Sequence, residues 1–255
     1  MSLKLFDLSG KTALITGSSQ GIGFSLAGGL AAAGAKVILN SRSEQKLERA
    51  VTKIRDDGGD AAYVVFDVTD AEAVTWAIDD LEEKGNQIDI LVNNAGMQFR
   101  SPLEEFPHDK WSLLLQTNLD SVFNVSKPTA RHMIARKRGK IINVCSVQSE
   151  LGRPGIAPYA ASKGAVKMLT KGMCTDWGQY GIQINGLGPG YFKTELTDAL
   201  VKDAEFTKWL ENRTPASRWG DVEELTGATI FLASEASSFV NGHILYVDGG
   251  ITSSL

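Results

Sequence analysis

The sequence predicts one α/β domain, a doubly wound parallel sheet with helices on both faces. Three observations predict it. Short apolar runs alternate with amphipathic stretches from one end of the chain to the other. A glycine-rich turn, Thr16-Gly17-Ser18-Ser19-Gln20-Gly21-Ile22-Gly23, joins the first apolar run to the first helical stretch. No linker, repeat or low-complexity stretch divides the 255 residues, a length at which a single domain buries a full core.

The first strand is read at 13–15, the apolar run Ala13-Leu14-Ile15, and residues 24–33 follow as a helix with small packing residues. Residues 36–40 are the second strand, and 44–55 a charged helix ended by Gly58-Gly59. Residues 61–66 form a third strand closing on Asp67, and 71–83 an amphipathic helix. Residues 88–92 are a fourth strand, 109–137 a long helix and 141–145 a fifth strand, after which comes a helix carrying Tyr159. Residues 183–187 are a sixth strand, 222–233 a helix and 244–247 the last strand. Ligands of such sheets bind beyond the carboxyl ends of the strands, and the polar motifs fall at those ends or just after them.

Composition excludes several classes. Hydrophobic residues make up 43% and charged residues 22%, as in ordinary soluble globular proteins. A net charge of -4 argues against a nucleic-acid partner, which wants clustered Lys and Arg. The one dense basic stretch, 131–140, is expected to be a solvated helix end. Cys145 and Cys174 lack metal or redox spacing and suit a reducing compartment. His108, His132 and His243 are scattered, so no metal site is expected. No charged-then-apolar leader is seen and no apolar run is long enough to span a bilayer, which makes the cytoplasm the expected location.

Strand, glycine turn and helix in that order are the context a dinucleotide fingerprint requires. Gly17 permits the tight turn, Gly21 lets backbone approach a pyrophosphate, and Gly23 lets the helix pack close to the strand. The spacing is Gly-x-x-x-Gly-x-Gly rather than the commoner Gly-x-Gly-x-x-Gly. A second motif lies downstream. Tyr159 and Lys163 are four residues apart, on one face of a helix, and Ser146 stands thirteen residues before the tyrosine. A free tyrosine titrates near pH ~10, and a nearby ammonium is expected to pull that value down. A serine hydroxyl holding the reacting oxygen completes a proton-transfer device for an alcohol or a carbonyl.

Together with Asn93-Asn94-Ala95-Gly96, Asn118 and Pro189-Gly190, these motifs resemble the short-chain dehydrogenase/reductase family from about Leu8 to Gly250. The resemblance implies a single Rossmann-type domain, a nicotinamide cofactor and hydride transfer between an alcohol and a carbonyl. It implies that Tyr159 gives or takes the proton and that Lys163 lowers its pKa and holds the ribose. Ser146 is implied to orient the substrate oxygen, and Asn118 to organise a water-linked proton path, the alternative being that Asn118 only satisfies backbone groups. It also implies a homotetramer.

The end of the second strand, Leu39-Asn40-Ser41-Arg42, carries no acid to bind both ribose hydroxyls of NAD. Ser41 can donate a hydrogen bond and Arg42 can neutralise a phosphate, so NADP is expected as cofactor. Arg42 could instead cap the next helix or stand in water, and Gln20 occupies the place just before Gly21 where many NADP-preferring relatives have a cation. Ser19, Gln20 and Ile22 belong to the phosphate-binding turn. By resemblance Asp67 and Val68 meet the adenine, Asn94, Ala95 and Gly96 leave room for the cofactor, and Thr194 meets the nicotinamide carboxamide.

Gln98, Arg100, Gln148 and Glu150 make the expected mouth of the site polar, which suits a polyhydroxylated, anionic small molecule rather than a lipid. Arg100 could clamp a carboxylate bidentately. Arg100 and Glu150 could equally form a surface salt bridge. The segments 149–153, 190–194 and 213–220 resemble the gluconate 5-dehydrogenase branch of the family, which implies a sugar acid as substrate. Residues 195–212, with Leu196, Leu200, Phe206, Trp209 and Leu210 at helical spacing, read as a helical lid within about 191–215. That face could also pack on the domain or on a neighbouring subunit. The alternatives are a reductase of another carbonyl, such as a 3-oxoacyl thioester, and a catalytically silent NADP-binding sensor.

Overall fold

A computed structural model describes residues 3–254, with the side chain of Leu196 left aside. Seven strands form one sheet: β1 (Thr12–Ile15), β2 (Lys36–Ser41), β3 (Ala61–Val65), β4 (Ile90–Asn93), β5 (Gly139–Val144), β6 (Ile182–Pro189) and β7 (Ile244–Val247). All pairs are parallel and the order is β3-β2-β1-β4-β5-β6-β7. The helices are α1 (Gly21–Ala32), α2 (Glu44–Asp56), α3 (Ala71–Glu83), α4 (His108–Leu115), α5 (Ser121–Arg136), α6 (Ala157–Trp177), α7 (Asp198–Val201), α8 (Ala204–Arg213) and α9 (Thr226–Ala233).

The strands are apolar on successive residues because both faces are covered. In β1, Ala13 and Ile15 pack into one core with Leu26 and Leu30 of α1, while Leu14 packs into the opposite core with Ile78 of α3 and Val125 of α5. The same alternation separates Val37 and Leu39 from Ile38, and Ile90 and Val92 from Leu91. Helix α2 needs only one apolar stripe, Leu47, Ala50, Val51 and Ile54, and Ser43 caps its start by accepting from Lys46 N at 3.4 Å.

Two expectations are corrected, over 109–137 and over 131–140. The helix read over 109–137 is interrupted by a π turn, Gln116–Asp120, between α4 and α5. One residue inserted into a turn barely alters apolar spacing, so periodicity does not reveal it. The stretch read as helical over 195–212 holds a 3₁₀ turn, Glu195–Thr197, followed by α7 and α8, with Asp203 capping α8. The basic stretch 131–140 is solvated only in part: Arg131, Lys137 and Arg138 are exposed, and two other cations are not. Arg136 lies largely buried, bound to Glu82 at 2.6 Å and donating to Ile88 O at 2.8 Å. Lys140 is buried on β5 and donates to Ser237 Oγ at 3.3 Å. Both partners come from distant elements, which a local charge count cannot anticipate. Among the described residues no helix is long and apolar enough to cross a membrane.

Candidate active site

The strand order reverses between β1 and β4, and the crevice this leaves at the carboxyl ends is a cleft of about 700 Å³. Its walls include the glycine turn, the ends of β2, β4, β5 and β6, and the start of the lid.

Close approach fixes the glycine turn. A Cβ on Gly17 would lie 2.8 Å from Ala95 Cα, and one on Gly23 would lie 2.4 Å from Asn94 Nδ2 and 2.6 Å from Gly17 O. Asn94 Nδ2 donates to Thr16 O at 2.9 Å and Gly17 O at 3.0 Å, and Thr16 Oγ1 accepts from Asn94 N at 3.0 Å and Ala95 N at 3.1 Å. Asn94 and Ala95 therefore brace the turn as well as line the cleft. Gly21, at φ +61, has no atom within 4 Å of the place a Cβ would take, so the turn opens there onto the cleft. Gln20, at the N-cap of α1, makes no side-chain cap, so the first-turn N–H groups keep the donors an anion would take. These residues fit a pyrophosphate, and Ser19, Gln20 and Ile22 lie along it.

At the other end of the turn stand Ser41, Arg42, Asp67 and Val68. Arg42 is 79% exposed and 3.6 Å from the Asp67 carboxylate. It caps nothing, since Ser43 caps α2. Burial works against ionisation of Asp67, but hydrogen bonds from Thr69 N and Oγ1 and the Arg42 guanidinium hold its pKa below the usual carboxylate range. Lys46, which sequence reading passed over as one more charge on an exposed helix, reaches the same wall and donates to Gln20 Oε1 at 3.0 Å. Gln20 Nε2 donates in turn to Glu195 Oε2 at 2.5 Å, tying the turn to the lid.

Ser146 follows β5, and Tyr159 and Lys163 lie one turn apart on α6. All three line the cleft. Lys163 Nζ donates to Val144 O at 2.7 Å and lies 5.9 Å from the Tyr159 ring centroid. The expected lowering of the tyrosine pKa by the ammonium is not what this geometry gives. Burial pushes the Tyr159 pKa up, and the Ser146 hydroxyl pulls it partly back. Burial also lowers the pKa of Lys163. Ser146 Oγ accepts from Gln148 N at 3.1 Å, which leaves its own O–H to donate.

Asn118 sits in the π turn, fully buried behind the cleft wall. Its Oδ1 accepts from Met97 N at 2.8 Å, and its Nδ2 donates to Met97 O at 3.0 Å and Ser162 Oγ at 3.1 Å. The side chain clamps the loop after β4 onto α6. A Cβ on Gly96 would lie 3.4 Å from Asn118 Oδ1 and 3.8 Å from Lys163 Nζ, so Gly96 keeps open the space between them.

On the substrate side, Gln148 lines the cleft and donates to the Tyr191 hydroxyl at 3.2 Å. Its Oε1 is buried without a partner. Arg100 also lines the cleft, its pKa lowered by burial and by the like charge of Arg153. Arg153, missed in the sequence, lies over the Phe206 ring at 5.0 Å, with its Nε buried and unpartnered. Among the described residues neither arginine pairs with a carboxylate. Glu150 is a correction: it does not line the cleft, and its carboxylate binds Lys167 and accepts from Tyr246 Oη at 2.8 Å. The chain turns away after the 3₁₀ turn Val147–Ser149, which carries Glu150 to the outer face.

The chain after β6 carries a cluster of rings beside the cleft, of which Tyr191 lines it. Tyr191, Phe206, Trp209 and Trp219 have centroids 5.2 to 6.2 Å apart, over a small core of Val147, Leu210, Trp219 and Ile251. Pro189, Gly190 and Thr194 line the wall below, and Thr194 caps the lid's first turn through Thr197.

A family model described as enoyl-(acyl carrier protein) reductase matches residues 17–252. The chain is 61% identical over 251 residues to a gluconate 5-dehydrogenase of Gluconobacter oxydans (strain 621H), covering 98% of each protein. It is 55% identical over 247 residues to a 5-keto-D-gluconate 5-reductase of Escherichia coli (strain K12), covering 97% of each. The crystal structure of a gluconate 5-dehydrogenase from Burkholderia cenocepacia J2315, in complex with NADP and tartrate, matches the whole fold with a TM-score of 0.98 at 60% identity, covering 100% of both chains.

Proposed function

Since the chain belongs to the short-chain dehydrogenase/reductase family, we propose that it is an NADP-dependent oxidoreductase interconverting D-gluconate and 5-keto-D-gluconate. The observation that carries the substrate class is the pair Arg100 and Arg153. Two guanidinium groups without acidic partners among the described residues share a cleft with Ser146 and Tyr159. They suit a carboxylate bound bidentately, and Gln148 and Tyr191 add hydrogen-bonding groups for hydroxyls. The names of the most similar relatives support the same assignment.

The nicotinamide, when bound, supplies or accepts the hydride. The glycine turn holds its pyrophosphate, Ser41, Arg42, Asp67 and Val68 its adenosine end, and Asn94, Ala95, Gly96, Pro189, Gly190 and Thr194 its other half. Ser146 donates its free O–H to the substrate oxygen. Tyr159, kept protonated by burial, gives its proton to that oxygen during reduction and takes it back during oxidation. Lys163 has one of its three donors on Val144 O, and the others serve the ribose and the phenol. Asn118, clamped beside Lys163, organises the proton path. Residues 191–215 close over the substrate as a lid. The same reading takes the protein as a single-domain homotetramer of the cytoplasm with no nucleic-acid partner, and sedimentation measures the first of these.

The test is a substrate panel followed by the absorbance of the reduced cofactor. D-gluconate and other sugar acids are assayed against acetoacetyl thioesters, with NADP and with NAD. Turnover of D-gluconate with NADP is expected. Turnover of the thioester alone would remove the sugar-acid assignment, and nucleotide binding without any turnover would favour a sensor.

A further inference from the structure

We propose that Lys46 is the cation that sets the preference for a 2′-phosphorylated cofactor. The inference rests on the NADP reading and goes beyond it by assigning the selectivity to a residue outside the β2 terminus. Arg42 and Asp67 face one another at 3.6 Å, so their charges largely cancel at the rim where Ser41 and Ser43 lie. A phosphate monoester brings nearly two negative charges at neutral pH, and a cancelled pair gives it little attraction. Lys46 is the remaining cation on this wall. It has no carboxylate partner among the described residues, and its ammonium is held on a neutral amide, Gln20 Oε1, at 3.0 Å. Arg42, Asp67 and Lys46 together carry about +1, the Glu195 carboxylate lying on the other amide atom of Gln20, and removal of Lys46 leaves the β2 rim near zero.

Sequence position hides the role. Lys46 lies in the first turn of α2, beyond the residues that end β2, on an exposed helical surface. The fold brings its ammonium back over the glycine turn, next to the residue just before Gly21. An ammonium on a four-carbon stem exchanges an amide for a phosphate oxygen without moving the backbone.

Calorimetric titration without substrate tests this, comparing NADP, NAD, adenosine 2′,5′-bisphosphate and AMP. In Lys46→Met the affinities for NADP and the bisphosphate are expected to fall about tenfold, with NAD and AMP changed less than about twofold. Lys46→Arg is expected to restore most of the loss. Equal weakening of all four ligands, or undiminished NADP binding, would overturn the proposal. If the unaltered chain holds AMP as tightly as the bisphosphate, the NADP reading itself fails, whatever Lys46 does.

Discussion

The floor and the roof of the cleft are built by different means. On the floor, side chains tie strand ends to main chain and to one another. Asn94 and Thr16 fix the glycine turn, Asn118 clamps Met97, and Asn93 Nδ2 donates to Asn143 Oδ1 and Ser126 Oγ at 2.8 Å each. These bonds are directional, and Gly17 and Gly23 among them allow no added atom. The roof is a cluster of rings, two of them on α8, joined by non-directional contacts and, at its start, by the Glu195–Gln20 bond. The reacting groups thus stand where register cannot slip, while recognition of the substrate rests partly on elements able to shift against the sheet.

If the floor carries the chemistry, Tyr159→Phe should lower kcat by roughly 10³-fold while circular dichroism and nucleotide affinity stay the same. The pH dependence should differ by direction. The Tyr159 pKa lies above the ordinary tyrosine value, so the neutral phenol persists into alkaline solution. The rate of alcohol oxidation, which needs the phenolate, should climb by up to about tenfold per pH unit above neutrality. Ketone reduction, which needs the phenol, should stay flat over the same range, and paired pH–rate profiles check both. Gly23→Ala should cost about 1–3 kcal/mol of stability and weaken nucleotide binding, because its Cβ meets Asn94 and the Gly17 carbonyl. Denaturant melts and titrations measure the two. At the roof, Arg153→Met should raise KM for the sugar acid by roughly tenfold with kcat nearly unchanged. A fall in kcat without a change in KM would move Arg153 to the floor's side of the division.

Most of the sheet was legible because strands buried on both faces must be apolar on successive residues, and β7 and α3 were placed to the residue. The glycine turn, Ser146, Tyr159 and Lys163 were legible because their spacing along one loop or one helix is also their spacing in space. Residues whose role arises from long-range folding were not. Lys46 meets Gln20 across 26 residues, and Glu195 meets it across 175. Arg153 gains meaning only against the Phe206 ring. Glu150 failed for the opposite reason, since proximity to Ser146 in sequence said nothing about which way the chain turns after Ser149. The charge on Lys163 was legible, but its anchoring to Val144 O and the burial of Tyr159, which set the direction of the pKa, were not.

The order of the motifs along the chain separates holding from turning over. Gly17 to Gly23, Ser41, Arg42, Asp67 and the brace at Asn94 to Gly96 all precede Asn118, and every group assigned to handling the proton comes at or after it. A ribosome that stops before Asn118 has made most of the nucleotide cradle and none of the acid–base apparatus. A product cut short there is therefore inert as a redox catalyst even where its nucleotide cradle forms.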